Sequence, residues 1–238
     1  MSPVAFDHIA IAVPRMADAP SFLVGTLGGI PDFGWESGAY RFGQWTYDGG
    51  GRIEILEPLG ADSFLHRFLA ARGPGIHHVT FKVPSLRETC DRVKALGYAI
   101  VGYSDRNRHW KEAFLHPRDA LGVVVQLVES DGTRPPGPWQ APPGPADPPP
   151  PVAVLGLRTR ARSAERARTQ WGEIVQGALL DDDAKRLVYG WPDSPMRIVV
   201  DVDATAEEGP VAIEIAASRA VALPPGPHPV LGAVFSRR

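Results

Sequence analysis

A strand motif that occurs twice limits what this chain can become. Residues 7–13 (DHIAIAV) and residues 77–83 (HHVTFKV) each carry a His at the mouth of an apolar or alternating strand, at His8 and His78. Each copy runs on through a helical stretch and further strands to an apolar strand with a metal-capable residue at its centre. Those residues are Glu54 in RIEILEP and Gln126 in VVVQLVE. His8 and Glu54 are 46 residues apart, His78 and Gln126 are 48 apart. A duplicated module with one imidazole and one oxygen donor per copy can build a two-fold, four-ligand site for a divalent ion such as Zn, Ni, Co, Mn or Fe.

The polar residue inside each apolar strand is the unusual fact. Strand side chains alternate between faces, so His8 and Glu54 can point into one concavity if their strands are near neighbours. A carboxylate on an inward face is costly unless a metal or hydrogen bonds compensate it. Taken singly, each of these residues also fits a solvent-facing position on an edge strand. Their recurrence in two matching repeats favours the metal. By the same alternation His77 points away from His78. His109 lies in a polar loop with Arg106, Arg108 and Lys111, which suits a solvated loop or the anionic tail of a substrate. His116 precedes a proline at a strand end, near a pocket rim.

The chain divides at a proline-dense stretch, residues 131–151, which cannot supply the backbone donors of helix or sheet and is expected to be an extended linker or strap. Residues 1–130 form two modules, 1–73 and 74–130, each with the pattern β-α-β-β-β. The first has a strand at 5–13, a helix near 16–28 stopped by Gly28-Gly29, strands near 39–47 and 51–57, and an amphipathic helix from Ser63 to Ala71. The second has a strand at 76–83, a helix from Ser85 with a capping box to Glu88, and strands at 98–103, 111–116 and 122–128. Residues 152–238 repeat the theme: a strand at 152–160, a helix at 163–175, strands near 187–191, 197–202 and 211–216, and an echo of strand 76–81 in residues 230–235. Gly156 and Gly232 stand there in place of the two histidines. Glu214 alone would make a poor metal site, so this part is expected to be a degenerate, metal-free module. The fold class is α+β, with paired βαβββ modules forming a cupped mixed sheet.

These segments resemble the vicinal oxygen chelate (glyoxalase/bleomycin resistance/dioxygenase) superfamily over roughly residues 5–129. The carrying runs are 6–13 (FDHIAIAV), 52–58 (RIEILEP), 63–83 and 114–128 (FLHPRDALGVVVQLV). They are most similar to the methylmalonyl-CoA epimerase branch. The resemblance implies one divalent metal ion held by His8, Glu54, His78 and Gln126. Family epimerases usually carry Glu at the last position; an amide can bind metal through its oxygen but cannot take a proton near neutral pH. The implied activity is a metal-dependent isomerase or lyase, epimerase- or glyoxalase-like, that removes a proton next to a metal-bound carbonyl, with Glu54 as base. A non-haem iron dioxygenase and a non-catalytic small-molecule binding or resistance protein are the alternatives. Tyr40, Trp45, Trp110 and His116 are candidate substrate contacts.

The net charge of −2 and pI near 6.4 give no polyanion-binding surface, so no nucleic-acid partner is expected. No apolar run reaches 18 residues and no signal peptide is recognisable, which leads to the expectation of a cytoplasmic protein without a membrane span. The single Cys90 excludes an intramolecular disulfide. A homodimer is open, since related modules often pair between chains.

Overall fold

The computed structural model describes residues 3–134 and 139–238. Along the chain come strand β1 (Ala5–Ala12), helix α1 (Pro20–Leu23), β2 (Ile30–Glu36), β3 (Tyr40–Thr46), β4 (Arg52–Pro58), α2 (Phe64–Arg72), β5 (Gly75–Lys82) and α3 (Leu86–Ala95). Then follow β6 (Ile100–Asn107), β7 (Trp110–Leu115), β8 (Val124–Ser130), β9 (Ala153–Ala161), α4 (Ala164–Ala167), β10 (Ala178–Asp183), β11 (Arg186–Gly190), β12 (Arg197–Val202), β13 (Gly209–Ala216) and β14 (Phe235–Arg237). The fold is α+β and strand-rich, and it repeats one module three times. In each, two antiparallel hairpin partners lead to a last strand that lies parallel to the first: β2-β3-β4-β1, β6-β7-β8-β5 and β10-β11-β12-β9. Among the described residues no helix is long and apolar enough to cross a membrane.

The chain forms two compact units whose segments interleave in sequence. One comprises Met1–Asp7, His78–Pro135 and Gly156–Val211; the other comprises His8–His77, Pro136–Leu155 and Ala212–Arg238. In the first, Phe6 stacks on Phe81 at 4.9 Å and Trp191 packs against both rings. The Trp191 indole donates to the Val175 carbonyl at 2.7 Å, so this large buried ring leaves no stranded donor. In the second, Ile9, Ile11, Ile53, Ile55 and Trp45 are fully buried on one face of β1, β4 and β3.

Several elements differ from the sequence expectation. The edge strands β2 and β10 were not foreseen: both are mostly exposed, so they lack the alternation that marks a half-buried strand. The helix expected at 16–28 is a 3₁₀ turn at Met16–Asp18 and the single turn α1, because Pro20 sits at N1 and restarts the helix. The helix at 163–175 passes from α4 into a π-helical stretch, Arg168–Ile174. Residues 230–234 are not a strand; β14 pairs in parallel with β13 as β8 does with β5. Part of the proline-dense stretch, residues 135–138, lies outside the described residues. Beyond it, Trp139 lies edge-on to Trp45 at 6.5 Å, in a slot made by the paired Gly34 and Gly43. A Cβ on Gly34 or Gly43 would come within 2.2 and 2.6 Å of the Trp139 ring.

A second duplicated device fixes the start of each module. Glu57 and Glu129 stand three residues after Glu54 and Gln126. Glu57 accepts the Met16 backbone N–H at 2.8 Å and binds Arg41 through both oxygens at 2.9 Å. Glu129 accepts the Leu86 N–H at 2.8 Å and the Lys111 ammonium at 2.5 Å. Met16 and Leu86 each lie eight residues after a strand histidine. Each carboxylate therefore ties the last strand of its module to the segment that leaves the first strand, and the cation comes from the antiparallel neighbour of the last strand. The Lys111 ammonium, and after it the Leu86 N–H, hold the Glu129 carboxyl below the usual carboxylate range. A depressed folded-state pKa stabilises the fold above the unfolded value, and that contribution is lost as the pH falls through the folded value. Melting temperature followed from roughly pH 6 down to pH 3 is expected to fall less steeply in Glu129→Gln than in wild type. Parallel acid limbs would remove this role.

Candidate metal centre

In the second unit, parallel pairing sets Ala10 of β1 beside Glu54 of β4, so His8, two residues earlier, projects from the same face. The His8 Nε2 lies 3.5 Å from Glu54 Oε2, and both side chains are buried. From β3, Gln44 faces Glu54 across the antiparallel pair and donates its amide N–H to Oε2 at 2.7 Å. Below them the face turns apolar: Ala10, Ala12, Leu56 and Leu65 form a buried cluster against which Tyr40, Phe42, Phe68 and Leu69 pack. Glu54 is thus a buried carboxylate at the polar end of an apolar wall. Of the candidate substrate contacts, Tyr40 lies with this cluster and meets Phe64 edge-on at 5.5 Å. Trp45 alternates to the opposite face from Gln44 and is fully buried there. His77 packs against Phe68 at 4.9 Å and Phe64 at 5.8 Å. Burial pushes its imidazole down to about 4, with Glu54 opposing, so it is neutral near pH 7.

The first unit carries a similar arrangement. His78 of β5 and Gln126 of β8 are buried, and Thr80 faces Gln126 across the parallel pair. The Thr80 hydroxyl donates to Gln126 Oε1 at 2.6 Å, and the Gln126 amide donates to Glu112 Oε2 of β7 at 2.8 Å. The same Glu112 oxygen accepts the Trp110 indole N–H at 3.0 Å. The amide is held from both ends, oxygen toward Thr80 and nitrogen toward Glu112. His116 is exposed at the turn after β7, where its Nδ1 accepts the Arg118 N–H at 3.1 Å. His109 is paired with Asp131 at 2.6 Å, and that contact draws the Asp131 carboxyl down to about 2.

Gln44 and Glu112 were not found from sequence. Each of the first two modules contains one acid–amide pair, but in opposite order. The acid is on the last strand and the amide on its neighbour in the first module, and the reverse in the second. The donor chemistry suits a divalent ion: His8, Glu54 and His78 are all buried and each offers one ligand atom. The corresponding register positions of the later modules carry no donor set. Arg158 faces Val199 as Ala10 faces Glu54, which makes Gly156 and Val199 the counterparts of His8 and Glu54. Glu214 faces Ser236 as Thr80 faces Gln126, which makes Ala212 and Ser236 the counterparts of His78 and Gln126. Glu214 is buried, but its charge is met by the Arg238 guanidinium through Nε at 2.9 Å and through Nη2.

Residues 7–114 match the family model described as the glyoxalase/bleomycin resistance protein/dioxygenase superfamily. The uncharacterised protein YqjC of Bacillus subtilis is 35% identical over 135 residues, 54% of this chain and 94% of that protein. The mitochondrial methylmalonyl-CoA epimerase of Mus musculus is 31% identical over 136 residues, 52% of this chain and 72% of the enzyme. A solved hypothetical protein from Bacillus halodurans superposes with a TM-score of 0.51 at 31% identity, covering 56% of this chain and 99% of that one. A mutant of 4-hydroxymandelate synthase from Streptomyces coelicolor, at 12% identity, shares the fold over 92% of this chain and 72% of its own, with a TM-score of 0.61. The twice-repeated βαβββ module, its buried His and acid–amide pairs and these relatives agree: the chain belongs to the glyoxalase/bleomycin resistance protein/dioxygenase superfamily, whose members bind a divalent metal.

Proposed function

We propose that this protein is a divalent-metal-dependent isomerase or lyase that withdraws a proton from the carbon next to a carbonyl group, with an acyl-CoA thioester as the substrate class. The observation that carries this reading is the buried Glu54 beside His8, held by Gln44 and set against an apolar wall. The substrate class is supported by the likeness to methylmalonyl-CoA epimerase. His8, Glu54 and His78 would hold the ion, with the Gln126 amide oxygen as a further donor. When bound, the ion supplies Lewis acidity to a substrate carbonyl oxygen.

The remaining work falls to the chain. Glu54 accepts the proton from the carbon beside the carbonyl. Gln44 fixes the direction of the Glu54 carboxylate, so no rotamer search precedes transfer. Ala10, Ala12 and Leu56 keep water from that face during the step. Thr80 and Glu112 hold the Gln126 amide in one orientation. Elemental analysis of wild type beside His8→Ala and His78→Ala tests the centre. About one divalent ion per chain in wild type and loss in both variants is expected; no metal in wild type after reconstitution would refute it. The two-His, one-carboxylate donor set also fits ferrous iron with open positions, the signature of an oxygenase. Oxygen uptake by the iron-loaded protein, without exchange of the substrate α-proton, would favour that second reading.

A further inference from the structure

The face that carries His8 and Glu54 in the first module is lined by arginine in the third. Pairing of β9, β12 and β11 sets three rows on it: Arg160, Asp201 and Arg186; Arg158, Val199 and Val188; Gly156, Arg197 and Gly190. Arg158 is bound by Asp201 through two hydrogen bonds of 2.6 and 2.8 Å, and Arg186 is paired with Asp181. Arg160 and Arg197 make no ion pair among the described residues. Asp203 lies within electrostatic reach of Arg160, but its carboxylate accepts from the Thr205 N–H and hydroxyl at 2.9 and 2.8 Å. Arg197 has glycine on both neighbouring strands, so no side chain flanks it in its row. Its Nε is buried without a hydrogen-bond partner. Leu180, 62% exposed, leans over Gly190 at the rim of this slot.

A buried guanidinium nitrogen without an acceptor is costly, and two guanidiniums without an ion pair on one face attract an anion. Arginine forks suit the tetrahedral oxygens of phosphate. We propose that this face of the third module binds the phosphoryl group of a small molecule, with Arg197 and Arg160 as its ligands. The inference is independent of the metal centre.

Titration calorimetry of the full chain with inorganic phosphate and pyrophosphate at low salt tests it. Saturable binding to wild type is expected, weakened at least tenfold in Arg197→Gln or Arg160→Gln. Arg168→Gln, which breaks a pair with Asp182, should bind as wild type does. Arg160 is half-buried and unpaired, so its variant reports even if Arg197→Gln folds poorly. No saturable binding to wild type, or wild-type affinity in both folded variants, would overturn the site. Malonate binding as tightly as phosphate would overturn the phosphoryl assignment.

Discussion

Glu54→Gln is expected to lower turnover by roughly 10²–10⁴-fold, the range a positioned general base contributes. The substitution keeps size and shape and leaves an oxygen for a metal, but removes the site that takes the proton. The measurement is exchange of the substrate α-proton in deuterated water, with metal content determined on the same sample. Retained metal with lost exchange separates the base from the ligand. Lost metal with lost exchange makes Glu54 a ligand first. Wild-type exchange would take the proton away from Glu54, and Glu112→Gln would then be the next variant to assay. Glu112 is the carboxylate of the other acid–amide pair, bound to Gln126 at 2.8 Å.

Gly156→Ala is expected to destabilise the protein by roughly 3–5 kcal/mol, a large share of the stability of a typical domain. Gly156 sits at φ +129°, and a Cβ there would lie 1.9 Å from the Arg197 carbonyl oxygen. The obstacle is backbone in a paired strand, so it cannot rotate aside as a flexible side chain would. The strand must shift or the pairing of β9 with β12 must open. Thermal unfolding should show a fall of roughly 10 °C. A change of under about 1 kcal/mol would mean that the strand yields easily. The counterpart of His8 has no room for any side chain, so a histidine cannot be restored there by one substitution.

The paired modules were legible because His8, Glu54, His78 and Gln126 stand in apolar or alternating strands at matching intervals. The burial of these four residues follows from that alternation. Gln44 and Glu112 were illegible for the complementary reason. Their strands, YRFGQWT and WKEAFL, already mix polar and apolar residues, so one more polar side chain carries no signal. Only the register reveals that each meets a partner across the sheet. The Glu57 and Glu129 locks were hidden similarly, since a Glu near a strand end usually belongs to solvent. Trp45 and Tyr40 are both aromatic and five residues apart, and only strand alternation with its register sends them to opposite faces. The edge strands β2 and β10 expose most of their residues, and Pro31 and Gly34 argue against a strand on propensity alone.

The interleaving of the two units bears on how the chain matures during synthesis. The unit built around residues 8–77 also contains residues 136–155 and 212–238. At elongation rates of about 5–20 residues per second, its first segment leaves the ribosome roughly 10–30 s before its last. Within that interval the slot at Gly34 and Gly43 stays open until Trp139 is made, and Glu214, made late, briefly awaits the cation of Arg238. The earliest strands of this unit are therefore made well before the residues that complete it. Slow codons late in the message would prolong that exposure rather than relieve it.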